Sequence, residues 1–168
     1  MKSKVYLILN SRFYFIFFAF CLFGCANGNI RPLNGLNADL FQASSSYMEP
    51  SLGMEWLVAL SNSKGKDKIE MIDIRNRRRI PLPGINRADA QPISVSVSAN
   101  GERLALIRQR ADKTELLIYR RRVGTLQRIE LRSKGIPRRV SLNSSGRVLA
   151  VQVSRDGRWE VEVIRLQG

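Results

Sequence analysis

The chain has 168 residues, 28 Lys plus Arg against 14 Asp plus Glu, and a formal net charge of +14, which fits one domain with a strongly basic surface. It holds no His and two Cys, Cys21 and Cys25, which excludes histidine-based acid–base catalysis, His-containing zinc sites and disulfides in the body of the chain. An apolar content of 44% is enough to build a core.

In chain order, Lys2, Lys4 and Arg12 come first, followed by the unbroken apolar run FYFIFFAFCLFG at 13–24. A basic start and an apolar core of about 7–15 residues is the layout of a secretory signal peptide. The run is shorter than the roughly 20 residues that span a bilayer, and an uncleaved N-terminal anchor is the alternative reading. Leu22-Phe23-Gly24-Cys25 resembles the lipobox of bacterial lipoproteins. The resemblance implies loss of residues 1–24 and acylation of Cys25. The exported chain is then held on the periplasmic side of a bacterial membrane, with Ala26 favouring the outer one. A signal peptide that carries Cys25 by chance stays open as the bland reading.

Residues 25–48 are rich in Asn, Gly and Ser and show no helical periodicity. They read as a polar tether. Within it, Ile30-Arg31-Pro32-Leu33 matches Arg79-Ile80-Pro81-Leu82, so the segment at 30–33 is a candidate strand donated to the domain that follows.

From residue 49 the chain repeats, with copies at about 49–92, 93–137 and 138–168. Val95-Ser96-Val97-Ser98-Ala99-Asn100-Gly101 matches Val140-Ser141-Leu142-Asn143-Ser144-Ser145-Gly146. An earlier, looser copy sets Asp67-Lys68-Ile69 against Asp112-Lys113-Thr114. Each copy predicts short strands: alternating Val and Ser, an Asn-Gly-type turn, the apolar run Leu104-Ala105-Leu106-Ile107, a polar turn, Leu116–Tyr119, and a fourth strand over Leu126–Leu131. The fold class is therefore all-β, with antiparallel four-stranded blades of about 40–45 residues each. Gly146–Val151 followed by Arg155-Asp156-Gly157-Arg158-Trp159-Glu160-Val161 resembles the TolB-type, WD-like β-propeller repeat. The resemblance implies a propeller, and three copies make a partial one. Ring closure by strand donation, by a homodimer of six blades, or by another protein at the open edges are the options.

Arginine dominates the charge. Arg75, Arg77, Arg78 and Arg79 follow the third strand of copy one, Arg120, Arg121 and Arg122 that of copy two, and Arg147 stands in the turn before the second strand of copy three. The blade layout gathers these eight at one rim, a candidate surface for phosphate or carboxylate groups. A second basic group, with Lys64, Lys66, Lys68, Arg110, Lys113, Arg138, Arg139, Arg155 and Arg158, falls at the opposite end. The bland reading of both is solvated charge. Export argues against nucleic acid and for an envelope protein or an anionic lipid or glycan as partner. The sequence carries no metal-ligand cluster, phosphate-binding glycine loop or nucleophile motif, and no cofactor is expected. Glu115 or Glu160 is the acid an enzyme acting on an anionic glycan would use, and Glu160 and Glu162 project to one strand face, with solvent exposure as the bland reading of that pair. The expectation is a non-enzymatic, lipid-anchored scaffold.

Overall fold

A computed structural model describes residues 30–167. Helix α1 (Asn34–Gln42) precedes strands β1 (Ser46–Leu52), β2 (Trp56–Ser63), β3 (Lys66–Asp73), β4 (Arg78–Ile80), β5 (Gln91–Val97), β6 (Arg103–Arg110), β7 (Lys113–Arg120), β8 (Thr125–Arg128), β9 (Ile136–Leu142), β10 (Val148–Arg155) and β11 (Arg158–Arg165). They form three antiparallel meanders, β1-β2-β3-β4, β5-β6-β7-β8 and β9-β10-β11. These are the blades, and they stack in chain order.

The alternation of each strand decides what it packs against. Successive side chains of a strand go to opposite faces. Leu104 and Leu106 join Val58, Leu60, Ile69 and Met71 of the first blade, whereas Ala105 and Ile107 join Val140, Leu142, Leu149 and Val151 of the third. The middle blade is buried on both faces, and this is why Leu104-Ala105-Leu106-Ile107 is apolar without interruption. Each large side chain buried there contributes about 1.5–3 kcal/mol. Tyr119 lies wholly within the first interface, and its hydroxyl donates to the Pro83 carbonyl at 3.0 Å. The linker after β4 is pinned by Asn86, whose side chain accepts from Ile69 N–H at 2.8 Å and donates to Ile69 C=O at 2.9 Å.

Turn chemistry sets the hairpins. Lys64-Gly65 and Asp156-Gly157 have positive φ at both positions, as two-residue hairpin turns matched to strand twist require. All three inner strands, β1, β5 and β9, carry a bulge in their middle.

A hydrogen-bond ladder joins successive inner strands. Val97 N–H donates to Ser51 Oγ at 3.0 Å, and Leu142 N–H donates to Ser96 Oγ at 2.9 Å. Beside it, Met54 N–H donates to Ala99 C=O and Ala99 N–H to Ser144 C=O, both at 2.9 Å. The same donor and acceptor positions recur from blade to blade.

Four expectations need correction. The tether at 25–48 contains α1, with Leu36 buried, and the first inner strand opens at Ser46. Helix α1 lacks the amphipathic stripe that would reveal it in sequence. The strand expected at 30–33 is not formed, and the third blade has three strands among the described residues. The hairpins close on Ser63↔Lys66 and Arg110↔Lys113, so Lys66 rather than Lys68 stands level with Lys113 at the start of β7. The mismatch arises because the first inner turn is two residues shorter than its successors. The fourth strand of the second blade spans Thr125–Arg128 and stops well before Leu131. The signal peptide at 1–24 and Cys25 lie outside the described residues.

Candidate functional site

The turns that carry the eight arginines lie at one end of the blades. Trp56 pairs with Asp73, Arg103 with Arg120 and Val148 with Arg165, so the first and third turns of a blade share one end. Backbone bonds extend the ladder into these turns, from Ile74 N–H to Glu55 C=O, Arg121 N–H to Glu102 C=O and Leu166 N–H to Arg147 C=O. The β3–β4 turn is shaped by Asp73, which accepts from Asn76 N–H at 2.9 Å and Asn76 Nδ2 at 2.8 Å. Those bonds, the backbone one first, hold the Asp73 carboxyl below its ordinary range.

The eight arginines divide into two sets. Four are tied down. Arg77 Nη1 lies 3.5 Å from Asp39 of α1. Arg79 reaches Glu70 at 3.5 Å and donates to Tyr47 Oη at 3.1 Å. Arg120 donates to Gln127 Oε1 at 3.2 Å. Arg121 donates through Nε to Gly101 C=O at 2.8 Å and stacks over the Trp56 ring, 4.8 Å from its centroid. It therefore clamps the first blade to the second. Arg75, Arg78, Arg122 and Arg147 are exposed, and their side chains make no hydrogen bond or ion pair among the described residues. Of the eight, they are the ones able to meet a ligand without breaking an internal contact.

At the opposite end Arg110, Arg139 and Arg155 are paired, whereas Lys64, Lys66, Lys68, Lys113, Arg138 and Arg158 are exposed with no side-chain hydrogen bond or ion pair among the described residues. A cavity of about 690 Å³ opens there, lined by Lys66, Lys68, Arg87, Asp67, Asp89 and Gln91 among others. Asp89 is gripped by Arg87 at 2.7 Å and Arg110 at 2.8 Å, and the Arg87 bond above all holds its carboxyl far below the usual range. Arg139 spans from β9 to Glu49 on β1 at 2.9 Å, and Glu49 also accepts from Ser94 Oγ at 3.3 Å.

The acids are committed to structure. Glu115, half-buried at 14% exposure, pairs with the buried Arg108 at 2.8 Å, and Arg108 Nη1 has no hydrogen-bond partner among the described residues. Arg155 bridges Glu160 and Glu162, and Glu162 also accepts from Arg132 N–H at 2.9 Å. Burial pushes the Glu162 carboxyl up, but Arg132 N–H and the Arg155 guanidinium outweigh it and leave the group below its ordinary range. Solvent exposure was the expectation for Glu162, and the structure places it at 11% exposure instead. The Arg121–Trp56 stack was also not foreseen. The signal for it was Gly101 at a turn, where a Cβ would lie 2.6 Å from the indole.

No family model matches the chain, and no curated protein does. Solved structures do. TolB from Acinetobacter baumannii superposes with a TM-score of 0.55 at 15% identity, over 70% of this chain and 29% of that one. A putative TolB from Agrobacterium tumefaciens gives 0.58 at 11%, over 73% and 46%. The β-propeller domain of the Trilobed protease from Pyrococcus furiosus gives 0.53 at 15%, over 73% and 40%. The likeness is one of fold: three TolB-like propeller blades, spanning less than half the length of each of these neighbours.

Proposed function

We propose that this protein is an exported, lipid-anchored binding scaffold of the bacterial cell envelope. Its propeller blades present a cationic rim to an acidic partner, protein, lipid or glycan, and it has no catalytic role of its own. The observation that carries this reading is the set Arg75, Arg78, Arg122 and Arg147, exposed at one rim and engaged with nothing described. The lipobox-like Leu22-Phe23-Gly24-Cys25 supports the anchor. Two acyl chains on Cys25 hold a protein stably at a membrane. The pairing of Glu115 with Arg108 and of Glu160 and Glu162 with Arg155 supports a role without proton transfer.

Two measurements test it. The fourfold variant R75E/R78E/R122E/R147E keeps every internal contact of the rim, so its circular dichroism stays that of the parent. Each basic residue at an anionic surface contributes about 1 kcal/mol. Affinity for vesicles containing phosphatidylglycerol at low salt therefore falls by about a hundredfold or more. Equal binding by variant and parent removes the rim from the account. Mass spectrometry of the N-terminal peptide finds diacylglycerol on Cys25, and Cys25→Ser abolishes it. An unacylated Cys25 in a bacterial host removes the anchor.

A further inference from the structure

The inter-blade ladder stops at each end of the arc with its groups unused. In the second blade Ser96 Oγ takes Leu142 N–H, and Ala99 N–H reaches Ser144 C=O. The counterparts on the third blade are Ser141 Oγ and Ser144 N–H, both exposed and unmatched among the described residues. At the other end, Leu52 N–H and Met54 C=O hold the places that Val97 N–H and Ala99 C=O fill one blade on. Leu52 is 69% exposed where Val97 is 3%.

Side chains repeat the pattern. On the middle blade, Leu116 and Ile118 face the third blade at 2% and 3% exposure. The same places on β11 are Val161 and Val163, exposed at 69% and 64%, with Trp159 beside them at 61%. On β10 they are flanked by Ala150 and Gln152 through the pairs Ala150↔Val163 and Gln152↔Val161. This face carries the chemistry of a blade junction and lacks the blade.

We propose that a second copy of this chain supplies it. The first blade of one copy packs against the third blade of the other, and the two junctions related by a two-fold axis close a ring of six blades. In each, Ser141 Oγ of one copy accepts Leu52 N–H of the other, and Ser144 N–H donates to Met54 C=O. The occupant follows from continuity with the junctions inside the chain. One end offers an acceptor hydroxyl and a donor amide with Val161 and Val163 exposed beside them, and the other the matching donor and acceptor with exposed Leu52. Six blades lie within the usual range of about four to eight for a closed propeller. Closure also covers the exposed Val161 and Val163 of both copies.

The test is the protein mass of the full chain in mild detergent, measured by light scattering with the detergent contribution separated. The parent has twice the mass of one chain. V161E/V163E and L52E each have the mass of one, because each spoils both junctions of a ring built from identical copies. Both change exposed positions, so urea midpoints stay near that of the parent. An equimolar mixture of the two variants associates in pairs again, since one intact junction is then available. In the double variant S144C/M54C an interchain disulfide between those positions forms under oxidation. A parent of single-chain mass at tens of micromolar overturns the proposal. So does a pair that survives both variants, or a foreign protein occupying the face in place of a second copy.

Discussion

Gly101 shows how one missing side chain holds a junction together. Its φ is +69°, and a Cβ there would lie 2.6 Å from the Trp56 ring and 2.8 Å from Met71 Cε. Gly101→Ala therefore strains the backbone and pushes Trp56 away from Arg121. Urea denaturation should show a loss of about 1–3 kcal/mol. Arg108 and Glu115 are coupled more tightly still. Arg108→Ala leaves the mostly covered Glu115 carboxylate without its cation, at a cost of up to about 3–5 kcal/mol. The double change R108M/E115L, which removes both charges, is expected to cost much less, and a double-mutant cycle measures the difference. Glu162 sets an acid limit. Its folded carboxyl titrates below the ordinary glutamate value of about 4.3. Its contribution is therefore present above that value and lost as pH falls through the depressed one. Thermal melts should be flat in this respect at neutral pH and fall below about pH 4.5, with a shallower fall in Glu162→Gln.

At the scale of elements, burial separates strands that look alike in sequence. Leu106 lies in the doubly covered β6 and Val163 on the open side of β11, at 1% and 64% exposure. Leu106→Ala should cost about 2–5 kcal/mol and Val163→Ala close to nothing in the single chain. Strands β5, β6 and β7 were legible because alternation and an unbroken apolar run state their burial directly. The hairpin at Asp156-Gly157 was legible from its turn residues. Helix α1 was not, since NGLNADLFQ has one buried residue, Leu36, and no apolar stripe. The true register of the first copy was hidden by the shorter β1–β2 turn, which shifts every later match by two residues. The rim was readable as a place, because blade topology alone puts the turns together. Which of its arginines are tied down was not readable. Arg77, Arg79 and Arg121 meet Asp39, Tyr47 and Trp56 only through tertiary contact.

For the whole molecule, the charge of +14 gives its two modes of association opposite responses to salt. Contact between the rim and an acidic partner weakens as ions screen it. Pairing of two copies is apolar and hydrogen-bonded, and screening relieves the repulsion between like-charged chains. Sedimentation between about 50 and 300 mM salt should therefore show self-association holding or strengthening while vesicle binding falls. The placement of the two Trp residues makes this visible without a label. Trp56 is partly buried under Arg121, whereas Trp159 stands on the open side of β11. The chain thus carries two lamps of different colour, a blue-shifted one inside a finished junction and a red-shifted one on an unfinished face. Acrylamide dims the second and spares the first. As concentration rises and the unfinished face is covered, the red-shifted emission should move toward the blue, and Trp159→Phe should abolish that movement while leaving the Trp56 signal as it was.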